Sequence, residues 1–456
     1  DLHLSIRRQR QMCIRDRMTV ERQPLRERAR SLVSPYGLVS QVHPLHANEA
    51  DPPFHVHLGR TGHSIHEGQI TFEGDIGNTD GAGSGSDSTT AEFIAVMESL
   101  ERYSSAMWDA RSFLLESENN LQERLVSPNQ FPRCSTAELD SGHVLRRYDP
   151  GVPIRWVRGW SLTSGHQVWV PAIAVYLHLP YLNDSERFIR SVSTGCAVHE
   201  SMRKAVLNGL LEVVERDAIA LTWLHELPLP RIAASEAGEF PPEALASWKS
   251  YRDYGIETHL FDATTDFGIP VIFALQISDQ DDDIAQLVGA ASALEPAEAL
   301  TKVFREMASI RIALRAFLAQ STSIKIYPDV ANVTGGAALM GQRAYRDAFS
   351  FLLNSERETS PSRMPNLLEL NDDPLREMII RIRLAGAEVI AVDITTDEAR
   401  SVGARVVKVL VPEAVPLSFV HRERYLDTPR LISAPNSMGY LVDTAPTFNR
   451  NIQPFA

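Results

Sequence analysis

The stretch that decides the fold is VLNGLLEVVERDAIALTWL, residues 206–224. Apolar side chains recur on every side of it, and a helix that is apolar all round lies inside a protein. Two carboxylates interrupt it, Glu212 and Glu215, with Arg216 directly after them. A spacing of three residues puts both carboxylates on one helix face. Because buried carboxylates are costly unless a cation meets them, this helix predicts a site that binds a cation.

The same pattern occurs earlier in the chain as Glu98-Ser-Leu-Glu101-Arg102. It lies within residues 90–106, whose apolar residues have helical spacing. Each copy follows a segment of small residues. The first is TFEGDIGNTDGAGSGSDSTT (71–90), predicted as a loop, and the second is the turn Ser193-Thr-Gly195-Cys-Ala197. The alternative interpretation is two helices stabilised by local ion pairs, and the repetition favours a shared site.

The four glutamates provide the oxygen ligands that Mg²⁺ prefers. Protein carboxylates usually share this ion with substrate phosphates, so the pattern also predicts a phosphate-bearing ligand. Arg102 and Arg216 would contact that phosphate or fix a carboxylate.

Composition excludes several classes of protein. The 456 residues carry 45 Lys and Arg against 58 Asp and Glu, a net charge of −13, which argues against a nucleic-acid binder. No stretch approaches 18 uninterrupted apolar residues, so no membrane span is predicted. Three cysteines cannot form a disulfide framework, and they favour the reducing cytoplasm.

Strand and helix patterns alternate along the chain, which predicts an α/β or α+β fold in one composite domain. The expected strands are 168–179, 257–264, 270–277, 388–395 and 405–412, and the expected long helices are 90–106, 204–224 and 295–317. Residues 1–17 are interpreted as non-native read-through, with Met18 as the start. An N-terminal region is expected over 18–73 and the main domain over 74–456, with a loop-like tail from 430 to 456.

Two other groups of residues were considered as sites. Six histidines lie between His43 and His66, and His55 and His57 share one strand face, as zinc ligands can. A polar segment that happens to be rich in histidine is the favoured interpretation. Cys196 has no base fixed beside it by the sequence, so a small packed residue is favoured over a nucleophile.

The chain resembles the YcaO family in four stretches: AEFIAVMESLERYSSAMWD (91–109), STGCAVHESMRKAVLNGLLEVVERDAIALTW (193–223), LEPAEALTKVFREMASIR (294–311) and GAEVIAVDITTDEARSVGARVVKVLVPEAVPL (386–417). The resemblance implies a YcaO-type ATP-binding fold of mixed sheets and packed helices, with magnesium held by glutamates. Carried over by position, the metal and phosphate ligands would be Glu98, Glu101, Glu212 and Glu215. Arg102, Ala197 and Arg216 would contact the nucleotide.

The resemblance also implies an activity. Members of the family activate a backbone amide with ATP. In the cyclodehydratase branch, a Cys, Ser or Thr side chain of a ribosomally made peptide then closes a thiazoline or oxazoline ring. Azoline-forming members typically end in a proline-rich tail whose carboxylate approaches the active site. This chain ends Gln453-Pro454-Phe455-Ala456, which favours the cyclodehydratase branch and points to Pro454 and Ala456 as catalytic.

Four positions depart from the family pattern: Ser84 replaces a lysine, Glu200 an asparagine, Lys204 a glutamate and Ser309 a glutamine. Ser84, Lys204 and Ser309 motivate one alternative, a degenerate scaffold or docking subunit that does not use ATP. Another alternative is a YcaO enzyme that forms thioamides or amidines. The expected partners are a precursor peptide, a separate leader-binding protein of the ubiquitin-activating-enzyme type and a second copy of the chain.

Overall fold

The computed structural model describes residues 24–61, 79–233, 238–320, 333–370, 372–443 and 446–455. Strands and helices are interleaved, as predicted. The helices are α1 (Leu25–Ala29), α2 (Ser88–Ala106), α3 (Thr136–Leu139), α4 (Ala172–Val175), α5 (Met202–His225), α6 (Pro242–Asp253), α7 (Pro296–Gln320), α8 (Val333–Met340), α9 (Ser350–Leu353), α10 (Leu367–Leu370), α11 (Pro374–Leu384), α12 (Asp397–Ser401) and α13 (Arg430–Ser437).

The strands form three sheets. They are β1 (Val39–Leu45), β2 (His55–Thr61), β3 (Gly81–Gly85), β4 (Leu114–Glu116), β5 (Ile154–Ser161), β6 (His166–Pro171), β7 (Cys196–His199), β8 (Arg231–Ile232), β9 (Ile256–Asp262), β10 (Val271–Ser278), β11 (Gln286–Ser292), β12 (Glu358–Thr359), β13 (Ile390–Asp393) and β14 (Arg405–Leu410).

The sheet orders are β1-β2-β3, β11-β10-β9-β8-β12 and β4-β5-β13-β14-β7, with β6 beside β5. Most neighbours are antiparallel, and β8 and β12 are parallel. The first sheet joins the N-terminal region to the main domain, because β1 and β2 precede residue 74 and β3 follows it.

Three long helices lie between these sheets. Helix α2 packs on the first sheet and reaches β7 and β14, α5 packs between β14 and β11, and α7 packs on β11 and reaches β3. Each helix therefore joins two sheets, and the three together surround one region at the centre of the molecule. Among the described residues, no helix combines the length and the apolar character that crossing a membrane requires.

Helix α5 is buried, as its sequence predicts: Leu210, Val214 and Leu221 are each fully buried in the largest hydrophobic core. The helix ends at His225 because Glu226 adopts a left-handed conformation with φ of 51°. The backbone N–H of Glu226 closes the helix on the carbonyl oxygens of Thr222 and Trp223.

Three local predictions were wrong. The described part of the expected loop at 71–90 contains strand β3 and the start of α2. The strand expected over 168–179 ends at Pro171, and the apolar residues Ala172–Val175 form a buried helical turn. The tail is not loop throughout, since Arg430–Ser437 is helical with Pro435 inside it.

Candidate active site

Strand β3 lies directly against helix α2, and its alternating glycines explain why. Gly81 and Gly83 face the helix backbone. A Cβ on Gly83 would stand 2.1 Å from the Ala91 carbonyl oxygen and from the Ala95 amide nitrogen. Only a strand without side chains on that face can approach so closely. The glycine-rich segment is therefore a packing surface that sets the position of α2.

This close packing fixes Glu98. Its Oε2 accepts a hydrogen bond from the Ala82 backbone N–H at 3.0 Å, and its Oε1 accepts two from Arg102, at 3.1 and 2.8 Å. Arg102 is thus committed to holding a carboxylate. Burial lowers the pKa of Arg102, but the charge and hydrogen bonds of Glu98, together with the charges of Glu101 and Glu212, outweigh burial and the net shift is upward.

Glu101 lies one turn further along α2, facing α5. Burial raises the pKa of its carboxyl well above the usual range, and the charges of Glu212 and Glu98 add to the shift. The sequence pairs Glu98 and Glu101 on α2 with Glu212 on α5, and the structure brings these three carboxylates into one electrostatic group.

On α5, each glutamate accepts a backbone hydrogen bond from the end of a different sheet. Glu212 Oε2 accepts from the Gly195 N–H at 3.0 Å, and Glu215 Oε2 accepts from the Ser292 N–H at 3.0 Å. Gly195 has a φ of 84°, and a Cβ there would stand 2.1 Å from the Val409 carbonyl oxygen, so the predicted turn requires glycine.

Arg216 lies between the two α5 carboxylates without being hydrogen-bonded to either. Its Nε is 3.8 Å from Glu212 Oε1 and 3.9 Å from Glu215 Oε1, which are ion-pair distances. Its guanidinium therefore keeps donors for another acceptor. This distinguishes Arg216 from Arg102, although the sequence gives both the same place in the repeated pattern.

Two further residues of the site, both on α7, were not predicted from the sequence. Lys302 Nζ lies 3.6 Å from Glu215 Oε2 and 3.3 Å from the Ser292 carbonyl oxygen. Glu306 is close enough to act on the same charges. Burial raises its pKa, while Lys302 opposes the shift. Burial lowers the pKa of Lys302, but the charges of Glu215, Glu306 and Glu212 together outweigh burial, so the net shift is upward.

The resulting cluster has an excess of negative charge. It comprises five carboxylates and three cations, a formal balance of −2: Glu98, Glu101, Glu212, Glu215 and Glu306 with Arg102, Arg216 and Lys302. Burial raises the pKa of Glu212, and the charge of Glu215 adds to the shift, while Arg216 and the hydrogen bond from Gly195 oppose it. A divalent cation would relieve this excess, and hard carboxylate oxygens suit Mg²⁺.

The carboxylates are nevertheless spread out. In the part of the chain that the structure describes, no three His, Cys, Asp or Glu side chains form a ready cluster around one metal position. Such spacing fits Mg²⁺ that is held by one or two carboxylates and completed by phosphate oxygens and water. The donor set therefore fits magnesium bound together with a phosphate ligand.

The described tail residues are anchored behind α5. The Asn449 N–H donates to the Leu224 carbonyl oxygen at 2.8 Å, and Phe455 is 2% exposed, in edge contact with Phe273 at 5.3 Å between ring centres. Pro454 is buried beside Phe455. Ala456 lies outside the described residues, so its predicted catalytic role stays a prediction.

The positions that depart from the family pattern lie on different sides of the cluster. Ser84 is on β3, paired with Val56, and Ser309 follows Glu306 by one turn of α7. Lys204 is exposed on the first turn of α5, two turns before Glu212.

Ala197 is buried on β7 and its side chain packs in the core, so only its backbone is available to a nucleotide.

Cys196 and the histidine segment were the two minor candidates. Cys196 is buried, and burial raises the pKa of its thiol to about 11, which removes the thiolate needed for nucleophilic attack. His57 Nε2 lies 3.1 Å from the Ser88 hydroxyl oxygen. His63 and His66 fall outside the described residues.

A family comparison decides the identity. The YcaO family, described as an ATP- and Mg²⁺-binding cyclodehydratase, matches residues 82–415, which include every helix of the cluster. The chain belongs to the YcaO family. A curated relative, an uncharacterized protein of Methanothermobacter thermautotrophicus, is 26% identical over 340 residues, covering 73% of this chain and 80% of the relative.

Solved structures share the fold at lower identity. A heterocyclase in complex with substrate and cofactor superposes with a TM-score of 0.76 at 22% identity, covering 94% of this chain and 57% of the heterocyclase. YcaO from Methanopyrus kandleri, bound with AMPPCP and Mg²⁺, gives a TM-score of 0.57 at 19% identity, covering 85% of this chain and 88% of that protein. This chain thus spans little more than half of that heterocyclase.

Proposed function

We propose that this YcaO protein uses Mg-ATP to activate backbone amides of a ribosomally made peptide, and that Cys, Ser or Thr side chains then close thiazoline or oxazoline rings. The observation that carries the proposal is the convergence of five carboxylates and three cations from α2, α5 and α7. The sequence feature that favours the azoline branch is the ending Gln453-Pro454-Phe455-Ala456.

When bound, Mg-ATP would supply a phosphoryl group, which converts the amide oxygen from a poor leaving group into a good one. The protein's part is positioning and charge neutralisation. Glu98, Glu101, Glu212 and Glu215 are the proposed metal ligands. One or two of them would contact an ion directly, with phosphate oxygens and water completing its shell, and Glu306 would add negative charge from the third helix. The backbone hydrogen bonds from Ala82, Gly195 and Ser292 orient three of these carboxylates before any ligand arrives.

The cations would divide the remaining work. Arg216 and Lys302 make only long contacts with carboxylates, so both can turn toward phosphate oxygens. Arg102 is already bonded twice to Glu98 and would position that carboxylate. Replacing Arg216 should therefore raise KM for ATP more than replacing Arg102 does.

The proposal includes partners. The aligned part is 57% of the heterocyclase that this chain resembles, and that heterocyclase was solved with a substrate. We infer that the present chain acts on a precursor peptide, that a separate ubiquitin-activating-enzyme-like protein captures the leader of that peptide, and that the chain forms a homodimer.

The decisive experiment incubates the full chain with Mg-ATP and with any leader-binding protein and Cys/Ser/Thr-rich peptide that the neighbouring genes encode. Mass spectrometry should show the peptide losing one water for each phosphate released. ATP binding without any mass change, even when sulfide or an amine is supplied, would refute cyclodehydration. Sulfur incorporation instead would assign the thioamide alternative, and failure to bind ATP would leave the scaffold alternative.

A further inference from the structure

Two neighbouring pockets are lined mainly by residues outside the cluster, and Arg216 is the cluster residue that lines one of them. The apolar pocket, of about 520 Å³, lies between α5, the start of the segment after β14 and the loop at Phe131 and Pro132. Its wall is built largely from Val, Leu, Ala and Pro side chains, among them Val213, Ala414 and Pro416. Such a wall offers buried area to an apolar group and few hydrogen bonds.

The apolar pocket opens beside the cluster. It is lined by Arg216 and by Thr194, the neighbour of the glycine whose N–H binds Glu212. Its other two cations are already occupied, since Lys408 donates to the carbonyl oxygens of Val192 and Thr194 and Arg190 is paired with Glu423. An apolar side chain in this pocket would therefore sit next to the Arg216 guanidinium.

The arginine pocket, of about 680 Å³, lies on the other side of Pro132, which lines both pockets. Three arginines line it, Arg133, Arg146 and Arg147, against one carboxylate, Asp427. Arg147 donates to the Thr136 hydroxyl and Arg146 to backbone carbonyl oxygens, both neutral acceptors. Only Arg133 faces the Asp427 carboxylate, at 3.6 Å. The pocket has a formal balance of +2 in a chain of net charge −13.

We propose that these two adjoining pockets form a binding track for the peptide substrate. An apolar side chain next to the reacting residue occupies the apolar pocket, and an acidic side chain further along the peptide pairs with the arginine pocket. Charge complementarity selects the acidic group, because guanidinium forks bind carboxylates in a planar, two-point geometry. The inference rests on the proposed function and deepens it by stating the sequence that the enzyme prefers.

The test uses fluorescein-labelled synthetic peptides, each with one cysteine, and anisotropy on the full chain with Mg²⁺ and a non-hydrolysable ATP analogue. One set places Leu or Ser next to the cysteine, and a second scans Glu or Lys outward from it on both sides. A peptide with Leu next to the cysteine should bind about tenfold more tightly than one with Ser there. At one or two outer positions, a peptide with Glu should likewise bind about tenfold more tightly than one with Lys.

Matched variants assign each preference to its pocket. Ala414→Phe fills the apolar pocket and should abolish the Leu preference while the Glu preference remains. The double variant Arg133→Glu with Arg147→Glu should bind peptides with Lys at the outer positions more tightly than peptides with Glu. Its preference for Leu next to the cysteine should remain. Arg133 and Arg147 are both exposed, so the double arginine variant should fold even if Ala414→Phe does not. The exposed Arg383 on α11 provides the control, Arg383→Glu.

Nucleotide affinity, measured in parallel, separates two kinds of failure. A wild-type chain that binds the ATP analogue and shows no peptide preference overturns the track and leaves the proposed function standing. A preference for Glu that persists in the double arginine variant also overturns the binding track. An Ala414→Phe chain that loses nucleotide and keeps its Leu preference would place nucleotide in the apolar pocket. A wild-type chain that fails to bind the nucleotide refutes the proposed function itself.

Discussion

Replacing Gly83 with alanine should damage both stability and activity, because of where β3 meets α2. The new Cβ would stand 2.1 Å from backbone atoms of Ala91 and Ala95, whereas an ordinary contact needs 3.4 Å. Helix and strand would have to separate by about 1.3 Å. Neither contact is a flexible side-chain tip, so the displacement falls on the helix itself.

The same displacement would break the hydrogen bond that orients Glu98. At 3.0 Å the Ala82 N–H bond has little slack, and a further 1.3 Å takes it beyond hydrogen-bonding distance. Overpacking of this kind costs about 1–3 kcal/mol of unfolding free energy. A misplacement of about 1 Å in a catalytic group costs on the order of 100-fold in rate.

Urea unfolding followed by tryptophan fluorescence and ATP turnover measured with peptide would provide both numbers. Gly238→Ala is the matched control, since a Cβ there meets nothing within 4 Å. If Gly83→Ala were as stable and as active as Gly238→Ala, the packing argument for the glycine-rich strand would be refuted.

Three further predictions concern buried groups. Arg430 donates hydrogen bonds of 2.8 and 2.7 Å to the fully buried Asp217, so Arg430→Gln leaves that carboxylate without its cation and should lower the free energy of unfolding in urea by about 3–5 kcal/mol. Adding Asp217→Asn should recover most of the loss. Additive losses in the double variant would contradict this prediction. The pKa of Glu101 is raised on folding, so the folded chain holds that proton above about pH 4.5 where the unfolded chain releases it, and stability falls as pH rises through that window. Glu101→Gln should therefore flatten the fall in unfolding midpoint with pH in EDTA, and an unchanged pH profile would exclude Glu101 as its source. Phe455→Ala should cost about 3–5 kcal/mol, because the ring is buried against Phe273, and a loss below 1 kcal/mol in the same urea assay would show that the tail is not anchored in the core.

The helices that carry the site were predictable because their sequences contain strong signals. Helix α5 was expected over 204–224 and runs from Met202 to His225. Its unbroken apolar surface made Glu212 and Glu215 conspicuous. The matching pattern on α2 identified Glu98 and Glu101 for the same reason.

The residues that were missed carry signals that also have ordinary explanations. Lys302 and Glu306 are four residues apart on α7, which is typical of an exposed ion pair on a helix. What makes them part of the site is that α7 packs over β11, and a sequence does not reveal that approach. The sequence does not show that the cation paired with Glu215 is Lys302 on α7.

Strand β3 was missed because strands are recognised by alternating apolar residues. In β3 every second residue is a glycine, at Gly81, Gly83 and Gly85. These glycines allow the strand to approach α2 closely. Helix α13 was missed because Pro435 lies inside it, and proline usually ends a helix. In both cases tertiary packing outweighed local preference.

The most direct test of the central claim is calorimetric titration of the full chain with Mg-ATP. Wild type should bind, and Glu212→Gln with Glu215→Gln should not, because the doubly substituted chain lacks both α5 carboxylates. Two exposed glutamates, as Glu243→Gln with Glu358→Gln, provide the control and should bind as wild type does. Equal binding by all three chains would contradict the glutamate site.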